Sequence, residues 1–280
     1  MGVTPEGIER PRCLNDASIR EVIDRLCENT RDAPHQPRGP DPKWRYFWRL
    51  GDRPTQTRFQ ELNAEPVVPD GPQFADWVST MDTWGNLMLG TIKTVSEMVA
   101  LGLGLDKAVF TQRMQYGPHL LAPTGTDLEK HGEVGNVFAG FHNDLNFLTV
   151  HGKSRFPGLF IWLRNGKKVP VRIPEGCLLL QAGKQMEWLT GGVIQAGYHE
   201  VVCTEDTVKA RDAARAAGRS TWRVSSTVFS QLASDEVLRV LDEFLAGKSD
   251  EEKTMVRERY PTMAVGKFVE DELRCINLAS

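Results

Sequence analysis

Two histidines and an aspartate, His142, Asp144 and His199, are the side chains of this sequence best suited to hold a metal. Two imidazoles and one carboxylate bind a divalent iron on one face and leave the opposite face open for substrate and oxygen. His142 and Asp144 are spaced i, i+2, so an extended strand sends both to one side and Asn143 to the other. A second histidine–acid pair, His131-Gly132-Glu133, lies between Gly125 and Gly135 and reads as a solvated loop. Downstream, Arg223-Val224-Ser225 puts a guanidinium and a hydroxyl on one strand face, with Thr227 and Phe229 continuing that face. Arginine grips carboxylates through paired N–H bonds, and burying it without an anion is costly. Its partner is either an internal Asp or Glu or a bound carboxylate.

These residues must be carried by a β-rich framework. Short candidate strands with turns between them run over 108–116, 137–144, 159–163, 168–173, 177–181, 192–202 and 221–230, a pattern that favours a sandwich or barrel over a parallel sheet. Asn165-Gly166 signals a type I′ hairpin, and Pro174-Glu175-Gly176 a further turn. Before this region, Phe74, Trp77, Val78, Met81, Trp84, Met88, Ile92, Val95 and Val99 recur at three- and four-residue steps. That spacing predicts a long helix from Gln73 to about Leu101 whose Met and Trp stripe is core, with Pro72 near its first turn. A shorter helix is expected from Asp16 to about Cys27, a surface helix within 204–218, and a helix capped by Ser234 over Val237–Phe244. No repeat or clean linker divides the chain. The expectation is one domain over 1–280: an irregular and helical part over 1–105, a β core over about 106–232 and a helical segment over 233–280.

Composition narrows the function classes. The 280 residues are 40% hydrophobic and 25% charged, ordinary for a globular protein able to bury a sizeable core. A formal charge of −3 gives no general attraction to nucleic acid or to acidic membranes, and no apolar run reaches membrane-spanning length. The opening residues, Met1 to Glu6, do not read as a secretory signal. Cys13, Cys27, Cys177, Cys203 and Cys275 are odd in number, with no C-x-x-C pair. A reduced, cytoplasmic setting is therefore expected.

Taken in order, the motifs resemble the isopenicillin N synthase-like family of non-haem iron, mostly 2-oxoglutarate-dependent, dioxygenases. The resemblance rests on Phe141-His142-Asn143-Asp144 followed by Leu148-Thr149, on Gly158-Leu159, on the hairpin around Asn165-Gly166, on Gln181-Ala182-Gly183 leading to Glu187 and Thr190, on His199, and on Arg223-Val224-Ser225. It covers residue 108 to the C-terminus and, more loosely, the long helix. It implies a mainly β fold with flanking helices, a double-stranded β-helix or cupin-like jelly roll supported by that helix. It also implies that His142, Asp144 and His199 ligate Fe(II), that Arg223 and Ser225 hold the distal carboxylate of 2-oxoglutarate, and that Tyr116 hydrogen-bonds this co-substrate. Met114 and Gly117 depart from the family pattern around that tyrosine, and Lys184 replaces a usual Asp. The family's first strand precedes a His-Gly-Val, whereas this sequence opens Met1-Gly2-Val3, so an exposed sheet edge is expected unless the irregular N-terminal part or a partner covers it.

The activity implied is oxidative decarboxylation of 2-oxoglutarate by O2, coupled to hydroxylation or desaturation of a small organic metabolite. The alternatives are an iron oxidase of the same family drawing electrons from its substrate or from ascorbate, and a jelly-roll binding module without turnover. The substrate pocket is expected to draw on the 44–49 aromatic cluster, Arg113, Gln115, Phe160, Trp162 and Phe229.

Overall fold

The computed structural model describes residues 2–29 and 32–279. In chain order the strands are β1 (Val3–Thr4), β2 (Trp44–Tyr46), β3 (Trp48–Leu50), β4 (His119–Leu121), β5 (Thr124–Asp127), β6 (Val137–His142), β7 (Leu148–His151) and β8 (Leu159–Trp162). They continue as β9 (Lys168–Pro170), β10 (Leu179–Ala182), β11 (His199–Val202), β12 (Trp222–Ser225), β13 (Thr227–Ser230), β14 (Val237–Leu238) and β15 (Met263–Ala264). The helices are α1 (Arg12–Asn15), α2 (Ala17–Asn29), α3 (Trp77–Gly102), α4 (Val109–Met114), α5 (Leu128–His131), α6 (Lys184–Leu189), α7 (Glu205–Ala216), α8 (Asp250–Arg259) and α9 (Val265–Cys275).

The strands form sheets in the orders β1-β2-β5-β12, β10-β7-β13-β4-β3 and β6-β11-β8-β9, with a small β14-β15 pair. The registered pairs are antiparallel. The expected run over 221–230 is two strands in two sheets, broken at Ser226, whose carbonyl accepts from Gly152 N–H instead. The first two sheets thus share continuous chain, and His142, His199, Arg223 and Thr227 are contributed by three different sheets.

Helix α3 buries Met81, Met88, Leu89 and Ile92 in one cluster with Leu50, Leu121, Val150 and Val228 of the adjoining sheet. Burying each such side chain is worth about 1.5–3 kcal/mol. Gly85 belongs to this contact: a Cβ there would lie 2.4 Å from Leu50 Cδ2. The Met stripe is core, but Val78 and Trp84 are 44% and 41% exposed. Trp84 lies along the sheet rim and donates its indole N–H to Ser226.

Several local expectations are corrected. Residues 109–114 form helix α4 rather than a strand, because Phe110 and Met114, four apart, both enter the core. Within 192–202 only His199–Val202 is strand. The Ser234-capped helix is absent; Val237–Leu238 pairs with Met263–Ala264, a partner too distant to read locally. The β8–β9 hairpin is present, but with Gly166 alone at positive φ (80°) and Leu163 and Lys167 closing the loop. That is a three-residue loop ending in a left-handed glycine, not type I′. Helix α7 carries the expected surface segment, started by a Thr204–Thr207 capping box. His131 ends α5 and pairs with Glu6 at 2.7 Å instead of lying in a free loop. The edge of β2 is paired with β1 through Val3↔Tyr46 and Thr4↔Arg45, so the N-terminal part supplies the cover that the sequence allowed for. Among the described residues no helix is long and apolar enough to cross a membrane.

Candidate metal centre and its cavities

Strands β6 and β11 pair so that His142 stands opposite His199. Strand β6 ends at His142, and the chain then turns to bring Asp144 beneath both rings. Asp144 Oδ1 is 3.8 Å from His142 Nε2 and 3.8 Å from His199 Nε2. One ligand atom from each of the three lies within 4.8 Å of the others. A cation with bonds of about 2.1 Å bridges donors up to about 4.2 Å apart, so small ring movements suffice.

Each ligand is aimed by a neighbour. His142 Nδ1 lies 2.6 Å from the Gly140 carbonyl, which leaves Nε2 for the metal. Thr149 Oγ1 donates to Asp144 Oδ2 at 2.7 Å, which leaves Oδ1. Gln181 Nε2 is 3.2 Å from His199 Nδ1. Thr149 and Gln181 are themselves partners in the β7–β10 register. The Asp144 turn is latched to α6, where Lys184 N–H donates to the Asp144 carbonyl at 2.8 Å. A Cβ on Gly183 would lie 2.1 Å from the Asn146 carbonyl oxygen, so no side chain fits at this latch. Lys184 itself pairs with Glu272.

Electrostatics favour a cation beside a neutral His142 and an ionised Asp144. Burial, reinforced by His199, pushes His142 down to about 3, well into the neutral form. Burial alone would raise Asp144, but His199, His142, His151 and the Thr149 hydrogen bond together hold it below the usual carboxylate range.

Two cavities meet at this cluster, sharing Lys43, Arg45, His142, Asp144 and Phe229 in their walls. The smaller, about 350 Å³, is lined by Arg223, Ser225, Thr227, Thr124, Thr126 and His199. The larger, about 580 Å³, is lined by Phe47, Asn143, Gln231, Leu62 and Leu273. Both volumes suit small organic molecules. Among the described residues, the charged side chains lining the smaller cavity are Lys153, Arg155, Arg172 and Arg223, the carboxylate of Asp144, and Lys43 and Arg45, which are paired with Glu9 and Asp41. Such a lining concentrates anions.

Arg223 is 8% exposed, and its Nε has no hydrogen-bond partner among the described residues. Among the described residues no carboxylate pairs with it, and burial alone lowers its pKa to about 10. By contrast, Lys43 is also buried but pairs with Glu9 and Asp41, and Arg45 pairs with Glu9. An orphaned guanidinium is what the sequence alternative of a bound carboxylate requires. The donor set of two imidazoles and a carboxylate and the orphaned Arg223 therefore fit Fe(II) and a carboxylate-bearing co-substrate.

Other expected site residues lie elsewhere. Tyr116 is 45% exposed, at φ 63° in the turn after α4, and lines neither cavity. Residues 109–114 are helical, and the structure does not bring Tyr116, in the turn that follows, together with Arg223 and Ser225 in the wall of the smaller cavity. Thr124 and Thr126, registered opposite Ser225 and Arg223 on β5, occupy that wall instead. Asn143 does not turn away, since the strand has ended; it faces the larger cavity with Oδ1 buried and unpartnered. From the 44–49 cluster Arg45 and Phe47 reach the larger cavity, whereas Trp48 sits under α3, donating to Asp82 at 2.8 Å. Phe160 and Trp162 pack with α2, and Arg113 donates to the Val109 carbonyl, so these three line neither cavity. Gln115 lines neither cavity as well. Thr149, Gln181 and His151 were not assigned roles by the sequence; their only signal is polarity inside apolar strands.

No family model matches the chain, and no curated protein matches its sequence. Solved structures do resemble it. A 2OG-Fe(II) oxygenase family protein from Caulobacter crescentus superposes with a TM-score of 0.69 at 24% identity, covering 98% of this chain and 75% of that one. A full-length Neurospora crassa protein in complex with alpha-KG and thymine gives 0.66 at 19% identity, with coverages of 98% and 73%. JOX2 in complex with 2OG, Fe and JA gives 0.60 at 16% identity, with coverages of 86% and 62%. At these identities the likeness establishes the fold: mainly antiparallel sheets with flanking helices, the jelly-roll architecture of 2OG oxygenases.

Proposed function

We propose that this chain is an Fe(II)- and 2-oxoglutarate-dependent dioxygenase that hydroxylates or desaturates a small organic metabolite, as a single catalytic domain over residues 1–280. His142, Asp144 and His199 would hold the iron, and Arg223 with Ser225 the distal carboxylate of 2-oxoglutarate in the smaller cavity. The observation that carries this reading is Arg223: a buried, unpaired cation in the cavity that ends at the His/Asp cluster. Structural neighbours that bind 2-oxoglutarate, iron, thymine or 5-formyluracil support a small-molecule substrate. When bound, iron with 2-oxoglutarate and O2 supplies the oxidant that breaks a substrate C–H bond.

The protein's contribution is placement. Arg223 and Ser225 would bind a carboxylate of the dianion at the far wall of the smaller cavity, whose other end is the His/Asp cluster. Asn143, Arg45 and Gln231 offer polar contacts in the larger cavity, while Phe47 and Phe229 supply apolar walls that exclude water. Arg45 lies 5.9 Å and 5.7 Å from the ring centres of Phe47 and Phe229, which holds its guanidinium at the junction of the two cavities.

The test is to supply the iron-loaded protein with 2-oxoglutarate and a fractionated metabolite extract, measuring O2 consumption and succinate. One succinate per O2, dependent on both His199 and Arg223, is expected. O2 uptake without succinate would point to the 2-oxoglutarate-independent oxidase, and no turnover in any fraction to a binding module.

A further inference from the structure

The geometry points to Gln181 as the positioning residue of the metal ligand His199, and to His151 as the group that receives the other end of the Gln181 amide. This rests on the metal-site reading above and deepens it. Gln181 is buried on β10, with its amide nitrogen 3.2 Å from His199 Nδ1. The same side chain also acts on His151 as a hydrogen-bonding neighbour, which raises that ring's pKa against the larger, lowering effect of burial. His151 stands on β7, and its ring centre is 6.2 Å from that of His199 at 77° between planes. Gln181 Oε1 and His151 Nε2 are both buried, and among the described residues neither has a hydrogen-bond partner in good geometry. On its other side, His151 Nδ1 is 3.2 Å from Thr227 Oγ1.

One rotation of the amide resolves both orphans. A metal on His199 Nε2 leaves the proton on Nδ1, so the Gln181 atom facing it must accept. Turning the amide over about its last bond presents Oε1 to His199 Nδ1–H and sends the NH2 group toward His151 Nε2. His151 Nε2 then accepts, its proton resides on Nδ1, and Nδ1–H donates to Thr227 Oγ1. The direction of every hydrogen bond along His199, Gln181, His151 and Thr227 is thereby set by the metal. Thr227 lines the same cavity as Arg223 and Ser225, so the chain of bonds ends at the wall proposed to receive the co-substrate.

The test uses zinc(II) alone as a diamagnetic probe. Zinc affinity is measured by chelator competition, and imidazole protonation by long-range ¹H–¹⁵N NMR of the zinc-loaded protein. Wild type is expected to carry the His151 proton on Nδ1. Gln181→Leu should lose about 10- to 100-fold in zinc affinity while keeping the wild-type circular dichroism spectrum. Gln181→Glu, which accepts from His199 but cannot donate, should recover most of that affinity and move the His151 proton to Nε2. Should Gln181→Leu fail to fold, the wild-type spectrum and Gln181→Glu decide. A wild-type His151 protonated on Nε2, or a folded Gln181→Leu binding zinc as tightly as wild type, overturns the relay alone. A wild type that binds no zinc overturns the metal site along with it.

Discussion

His142 and His199 stand directly opposite each other across the β6–β11 pair, with ring centres 4.2 Å apart. Two imidazoles brought this close, one of them strongly held neutral by burial, gain little from each other. Their juxtaposition over the Asp144 carboxylate makes sense as a chelate, and the residues behind them serve that geometry.

The clearest consequence concerns Arg223. An unpaired buried guanidinium destabilises the free protein, so Arg223→Met should raise the free energy of unfolding by about 1–4 kcal/mol, on the scale of replaced buried charges. The same change should weaken 2-oxoglutarate binding by about 2 kcal/mol or more, roughly 30-fold. Denaturation and anaerobic 2-oxoglutarate titration check both arms. An Arg223→Met protein that is less stable than wild type would mean the guanidinium has an internal partner.

Thr149 tests the aim of the carboxylate. Its hydroxyl holds Asp144 Oδ2, so Thr149→Val, nearly isosteric, should leave folding intact and lower metal affinity about 10- to 100-fold. Serine at the same place should restore most of it. Equal affinity in Thr149→Val would show that Asp144 needs no such support.

Acid should destabilise the protein well above the carboxylate range. His119 is buried, accepts from Gln231 N–H at 3.0 Å, and is pushed by burial to about 3; burial likewise lowers His151 to about 4. A histidine whose folded pKa is depressed contributes stability that is fully present above its unfolded value near 6.5. That stability is lost as pH falls from there toward the folded value, because the unfolded chain takes up the proton first. For His119 alone the loss between pH 7 and pH 5 is about 2 kcal/mol. Urea midpoints of the metal-free protein at pH 7, 6 and 5 should fall monotonically, and a flat profile would contradict the burial of these rings in neutral form.

The centre of this site was legible because its chemistry depends on spacing that survives in one dimension. Arg223, Ser225, Thr227 and Phe229 alternate, so all four reach one cavity even though Ser226 breaks the strand, whereas His142 and Asp144 meet through a turn after the strand ends and not through alternation. What could not be read depends on partners far away in sequence. Val237–Leu238 looks helical until Met263–Ala264 pairs with it. Residues 109–114 carry strand-forming Val and Phe, yet Phe110 and Met114 find one core only when the segment coils. Tyr116 follows that coil and lines neither cavity, whereas Thr124 and Thr126 stand in the wall beside Arg223 and Ser225. Gln181 and Thr149 are single polar residues in apolar strands; their meaning appears only when β7 and β10 set them side by side behind two different ligands.

The most direct measurement is an anaerobic titration of the Fe(II)-loaded protein with 2-oxoglutarate, following the visible charge-transfer absorption that arises when a keto acid chelates ferrous iron. The account predicts one iron and one 2-oxoglutarate per chain, no absorption band in His199→Ala, and in Arg223→Met a band that develops only at much higher 2-oxoglutarate concentration. A wild-type protein that binds iron but develops no band at saturating 2-oxoglutarate, or a His199→Ala protein that develops the band unchanged, would contradict it.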